Sequence, residues 1–122
     1  MIRFNPRVLV VEDEYMLADD LRQALDREGV VVVGPVATEA DARVLLDQGP
    51  VDCAILDINL RGEMVYSLAR TLEQQYVPFL FVTGYDAPHA QQGFDDVDLI
   101  QKPFAPGDVI QGIRRLIDGG ST

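Results

Sequence analysis

Residues 51–63 read VDCAILDINLRGE, an apolar run that stops on a carboxylate, Asp57. A run such as CAILDI (53–58), apolar almost throughout, is what a strand buried on both faces of a parallel sheet requires. A charge has no place inside such a strand. Asp57 therefore either marks where the strand meets water or stands at the rim of the sheet to do chemistry.

Working outward, strand-like and helix-like periods alternate along the chain. RVLVV (7–11) is a first β-branched run, and Leu17, Leu21, Ala24 and Leu25 follow on one helical face that Gly29 stops. VVVVG (30–34) reads as a second strand, closed by Gly34 and Pro35. Thr38 then serves as the N-cap of a helix whose stripe is Ala42, Leu45 and Leu46. After the third strand and a loop around Gly62, a third helix carries Val65, Leu68, Ala69 and Leu72. PFLFVTG (78–84) is a fourth strand, with Pro78 at its first position, where a missing donor is tolerated. DLIQK (98–102) is a short fifth strand, and Pro106 opens a last helix with Val109, Ile110, Ile113, Leu116 and Ile117 on its apolar face. Five strands alternating with helices predict right-handed βαβ crossovers in one α/β domain filling residues 1–122. One connection breaks the pattern: YDAPHAQQGFDDV (85–97) has no apolar stripe, so its helix is expected to be short, irregular or mobile.

Ligands of an open parallel sheet bind outside the carboxyl ends of its strands, where strand order reverses. Those ends carry Glu12 and Asp13 after strand one, Asp57 on strand three, Thr83 on strand four and Lys102 on strand five. In the doubly wound order 2-1-3-4-5, strands one and three flank the switch point, so three carboxylates converge with a hydroxyl and an ammonium. Unrelieved, two unit charges ~4 Å apart cost on the order of 4 kcal/mol at an effective dielectric of ~20. A hard divalent cation such as Mg²⁺, which takes oxygen ligands, would relieve them. Taken singly, an acid after a strand is also a common helix cap. The joint placement of all five residues is what favours a site.

The charge balance agrees. Twenty acids against ten bases give a net charge of −10, which repels phosphate backbones and argues against direct nucleic-acid binding. Nine of the ten bases are arginine, and Lys102 is the only lysine, so its position is hard to call an arbitrary surface choice. His89 is the only histidine, and a single cysteine, Cys53, excludes an internal disulfide or a zinc site. No apolar run approaches the ~20 residues that span a bilayer, and a cytoplasmic location is the default expectation.

The ordered motifs VLVVEDE, ILDINL, VTGY and QKPF resemble the receiver domain of bacterial two-component response regulators over essentially the whole chain. The resemblance implies a flavodoxin-like fold and a phosphoprotein in which Asp57 takes a phosphoryl group from a phosphohistidine. By the same resemblance, Glu12 and Asp13 hold Mg²⁺ together with one Asp57 oxygen and the backbone carbonyl of Asn59. Thr83 and Lys102 bind the phosphoryl oxygens, and Lys102-Pro103 carries a cis bond. The partners implied are a sensor histidine kinase or a histidine phosphotransferase and a downstream protein, with Thr83 driving the switch.

Two features depart from the family pattern. Leu99 stands where many receivers carry a switching aromatic, which leaves Tyr85 as a candidate substitute. PFLFVTGY is also similar to a Pro-Phe-x-Phe-Ala-Thr-Gly-Tyr motif of an alphaproteobacterial subclass with a reduced fourth helix, Val82 replacing the alanine. For Tyr85 and Phe94 the plainer role is loop packing.

The expected function is a phospho-accepting signalling module, a natural or near-natural unit without an attached output domain. A phosphorelay intermediate or a receiver cut from a hybrid kinase is the alternative. A small Mg²⁺-dependent aspartyl phosphatase fits less well. Haloacid-dehalogenase-type enzymes use a second Asp as general acid, and here the sequence is Asp57-Ile58-Asn59. A pseudo-receiver scaffold would not need the full set of five site residues, and VEDEYM lacks the glycines of a dinucleotide-binding turn.

Overall fold

A computed structural model describes residues 5–84 and 93–119. Its elements are β1 (Arg7–Val11), α1 (Tyr15–Arg27), β2 (Val31–Val36), α2 (Glu39–Gln48), β3 (Cys53–Asp57), β4 (Asn59–Leu60), β5 (Glu63–Met64), α3 (Tyr66–Gln74), β6 (Phe79–Thr83), β7 (Leu99–Gln101) and α4 (Pro106–Gly119). The main sheet is parallel, in the order β2-β1-β3-β6-β7. Counting only its strands, this is the expected 2-1-3-4-5, because β4 and β5 form a separate antiparallel pair.

Period-two alternation divides the core between the two faces of the sheet. Leu9, Val11, Leu56 and Phe81 pack with Ala42 of α2 and with Leu68 and Leu72 of α3. Val8, Val10, Ile55 and Val82 pack with Leu21 and Leu25 of α1 and with Val109 and Ile113 of α4. Strands β3 and β6 are buried along their whole length, which is why their sequences lack polar alternation. The helix ends follow the expected chemistry. Thr38 accepts a hydrogen bond from the Asp41 amide (3.1 Å), and Asp108 accepts one from the Ala105 amide (3.2 Å) beside Pro106.

Two local readings need correction. β2 does not end at Gly34-Pro35 but runs on to Val36. The pairing slips between Leu9↔Val33 and Val11↔Val36, so three steps of β2 oppose two of β1. Gly34 has φ +101, and a Cβ there would lie 2.9 Å from the Val36 nitrogen and 3.0 Å from the Val10 carbonyl. Only glycine fits this bulge, and the bulge lets Val36 accept a hydrogen bond from the Glu12 amide (2.9 Å). The segment around Gly62 is likewise not a plain loop. It is a two-residue hairpin between β4 and β5, with positive φ at both Arg61 (54°) and Gly62 (93°), the pattern of a type I′ turn.

The expected fourth helix lies largely outside the described residues, which resume at Gly93 with turns over 93–97. Four helices are present among the described residues. Phe94 fulfils the loop-packing reading: it stacks on Tyr66 (5.9 Å, 9°) and meets Phe79 and Phe81 edge-on.

Gly34→Ala is expected to cost about 2 kcal/mol of stability, because a Cβ meets backbone on two sides at a positive φ. Urea unfolding should show the lower midpoint, and a neutral outcome would contradict the bulge geometry.

Candidate functional site at the carboxyl edge of the sheet

Register delivers the acids. Val11 pairs with Leu56 and Asp57 with Val82, so Glu12, Asp57 and Thr83 emerge at one level at the ends of three adjacent strands. Glu12 and Asp57 are only 2% and 3% exposed. Asp13, half-buried, completes a group of three carboxylates whose oxygens lie within 4.8 Å of one another.

Lys102 reaches into this group from the end of β7. Its amide donates to the Thr83 carbonyl (2.7 Å), which fixes the residue beside β6, and its bond to Pro103 is cis. The ammonium Nζ lies 2.9 Å from Asp57 Oδ2, 3.0 Å from Glu12 Oε1 and 3.0 Å from Glu14 Oε1. Glu12 Oε2 also accepts from the Glu14 amide (2.9 Å), and Asp57 Oδ1 accepts from the Asn59 amide (3.1 Å). The Asn59 side chain is engaged elsewhere: its Oδ1 accepts from the Gly62 amide (2.6 Å) and ties the hairpin turn. Asp13 faces Arg61 at 3.5 Å. The buried Thr83 hydroxyl donates to the Gly84 carbonyl (3.2 Å). All five strand-end residues expected from the sequence thus sit at one edge, whereas Tyr85 lies outside the described residues.

Sequence reasoning missed Glu14, a third carboxylate on the same ammonium. The signal was present as the second Glu of VEDE. Its position at the mouth of α1 looks like a helix cap until the partner from β7 is in place.

The electrostatics are those of an acid cluster with too little positive charge. Burial pushes Glu12 up to about 8, and the Asp57 charge adds to the effect, against the pull of the Glu14 amide and Lys102. Burial also raises Asp57, opposed chiefly by its hydrogen bond to Lys102. Burial lowers the Lys102 ammonium, but its bonds to Asp57, Glu12 and Glu14 together prevail and raise it. Glu12 Oε1 is buried with no aligned hydrogen bond among the described residues. Glu12 Oε1 meets the Lys102 ammonium at 3.0 Å, and three carboxylates with oxygens within 4.8 Å of one another suit a hard cation, since Mg²⁺ takes oxygen ligands at about 2.0–2.1 Å and keeps several waters.

A doubly wound sheet that gathers three carboxylates, a lysine and a hydroxyl at its carboxyl edge defines a phospho-accepting signalling domain. The chain belongs to the response regulator receiver domain family, whose model matches residues 8–114. It is 33% identical to the sensory transduction protein LytT of Bacillus cereus over 114 residues, covering 89% of this chain and 46% of that protein. It is 34% identical to the aerobic respiration control protein ArcA of Escherichia coli over 120 residues, covering 93% of this chain and 49% of that protein. The chain therefore spans about half the length of these curated relatives. Among solved structures it is similar to SdrG from Sphingomonas melonis, with a TM-score of 0.82 and 35% identity over 96% of this chain and 99% of the other. A receiver protein from Sinorhizobium medicae shares the fold, with a TM-score of 0.84 over 95% of this chain and 97% of that one, at 24% identity.

The native state holds Glu12 above its ordinary value of 4.5, so the metal-free protein keeps a proton that the unfolded chain has released. The stability this group contributes is complete below pH 4.5 and declines as pH rises toward about 8. Asp57, shifted in the same sense, steepens the decline. The urea midpoint of chelator-treated protein should fall across that window, and Glu12→Gln, which cannot ionise, should flatten the fall. An equally steep fall in the variant would refute the assignment.

Proposed function

We propose that this protein accepts a phosphoryl group on Asp57 from the phosphohistidine of a sensor histidine kinase or histidine phosphotransferase, and thereby switches a protein-binding surface. The 122 residues act as a single receiver unit, cytoplasmic and without direct contact to nucleic acid. The observation that carries this reading is the Lys102 ammonium set between buried Asp57 and Glu12.

In the transfer, an Asp57 oxygen attacks the phosphorus. The O–P bond forms as the P–N bond breaks, and the electron pair leaves on the imidazole nitrogen. An aspartate is a modest nucleophile, so the rate depends on positioning and on charge neutralisation at the phosphoryl oxygens. Asn59 holds the attacking carboxylate through its amide. Lys102 supplies a fixed positive charge within reach of the incoming group, anchored by its amide on Thr83 and followed by Pro103. Glu12, Asp13, Asp57 and the Asn59 carbonyl would hold Mg²⁺, which would supply the remaining charge. Thr83 turns its hydroxyl from the Gly84 carbonyl to a phosphoryl oxygen of the product and draws the end of β6 with it. Tyr85, two residues on, takes the part that an aromatic at Leu99 would play.

The phosphatase reading is disfavoured by a specific contact. Asn59 occupies the position of a general acid, yet its side chain carries no acidic proton and is bound to the Gly62 amide. The protein then keeps its phosphate as a signal rather than turning over substrates.

Incubation with Mg²⁺ and acetyl phosphate should label the protein with hydroxylamine-labile phosphate, and Asp57→Asn should abolish it. Lys102→Ala should slow labelling about a hundredfold, the scale for losing one charge-stabilising donor. Label that survives Asp57→Asn, or rapid hydrolysis of unrelated phosphomonoesters, would overturn the reading. Millimolar Mg²⁺ should also raise the melting temperature, since the ion binds only the folded cluster.

A further inference from the structure

The amino end of the sheet, opposite the acid cluster, carries a second feature. Helix α3 finishes in a Schellman motif: the Val77 amide donates to the Leu72 carbonyl (2.9 Å) and the Tyr76 amide to the Glu73 carbonyl (3.1 Å). The motif demands a left-handed residue at its C′ position, where glycine is the norm. Here the residue is Tyr76, with φ 58 and 93% exposed. A bulky residue in this region is an outlier that costs free energy, and the ring recovers nothing by burial. The left-handed turn holds the ring out in solvent.

Tyr76 is among the residues that line a groove of about 460 Å³. Half-buried Val77, Val97 and Leu116 contribute apolar atoms to it, and Glu73, Asp96 and Asp98 are the charged residues of its lining. Arg115 lies 3.6 Å from Asp98. Glu73 and Asp96 form no ion pair among the described residues, so the groove keeps net negative charge.

The geometry points to a docking groove for a basic protein segment, whose apolar side chain seats against Val77, Val97 and Leu116 while its cationic neighbours meet Glu73 and Asp96. Tyr76 is the aromatic anchor: a rigid amphipathic ring beside an apolar hollow is the composition of binding hot spots. Charge complementarity fixes the occupant as cationic. A second copy of this chain, with net charge −10, would bring acids against acids.

The test is an amide-resolved NMR titration of the full chain with two capped peptides. In one, lysines alternate with leucine and one phenylalanine; in the other, glutamates replace the lysines. The lysine peptide should shift the amides of Tyr76, Val77, Val97 and Leu116, and the glutamate peptide should leave them unmoved. Tyr76→Gly should weaken the lysine peptide about tenfold or more while leaving the melting temperature equal or higher, because glycine relieves the backbone. Glu73→Gln with Asp96→Asn should weaken it without changing stability. Four outcomes would each overturn the proposal: shifts centred on Glu12 and Asp57, equal response to both peptides, undiminished affinity in the variants, or shifts that grow with protein concentration alone. The acid cluster at the other end provides the internal control, since a peptide held by bulk charge alone would gather there.

Discussion

The constraint on which the rest of this structure depends is the burial of two carboxylates against one ammonium. Removing an ion from water costs several kcal/mol even after relaxation, and a partner repays it only with good geometry. Lys102 meets that condition by approaching Asp57, Glu12 and Glu14 together at 2.9–3.0 Å. A compact ammonium with three donors on a flexible stem can do this. The planar fork of an arginine is built for one carboxylate at a time, which gives a physical reason for the one lysine in a chain otherwise furnished with arginine. The pairing remains incomplete: Glu12 Oε1 lacks an aligned hydrogen bond. Three carboxylates, those of Glu12, Asp57 and Glu14, thus share a single ammonium.

Several local peculiarities of the backbone serve that cluster. The β2 bulge at Gly34 advances the strand so that Val36 receives the Glu12 amide. The β4–β5 turn engages the Asn59 side chain, leaving its amide directed at Asp57. The β6–β7 pairing continues into a Lys102 amide bond to Thr83. The backbones of Glu12 and Lys102 are thus held by main-chain hydrogen bonds of the scaffold, and the Asn59 amide holds the Asp57 carboxylate. Positioning of this kind is what a reaction with little covalent chemistry of its own requires.

The layered fold was legible because its cause is periodic. Alternating residues of β1, β3 and β6 face different helices, and the helices carry clear stripes. The site was legible because strand ends are where a parallel sheet exposes side chains, and five functional residues coincide there. What escaped the sequence reading was decided by contacts between distant segments or by a single dihedral angle. Gly34-Pro35 looks like a stop until β1 is seen to accept the strand beyond it. Arg61-Gly62 reads as a loop because arginine at positive φ carries no sequence mark. Glu14 acquired its role only from Lys102, 88 residues away. The segment 85–97 lacked a stripe in the sequence, and what its described part shows is a buried Phe94 packed on Tyr66, Phe79 and Phe81.

Strand β6 joins the two ends of this picture. Thr83 closes it at the acid cluster, while Phe79 opens it at the groove beside Tyr76. At about 3.3 Å per residue, the four steps from Phe79 to Thr83 separate the two by roughly 13 Å, too far for one small ligand to block the other sterically. Between them, on the α3 side, Phe79 and Phe81 contact each other and Phe94 at 5.5–5.9 Å, and Arg70 lies over the Phe94 ring at 5.6 Å. A close-packed aromatic cluster of this kind does not deform smoothly. A pull on Thr83 would therefore be met first by Phe81 and by the Phe94 ring packed against it. Phe94 thus links the middle of β6 to the turns over 93–97, whereas the groove beside Tyr76 is set by the end of α3.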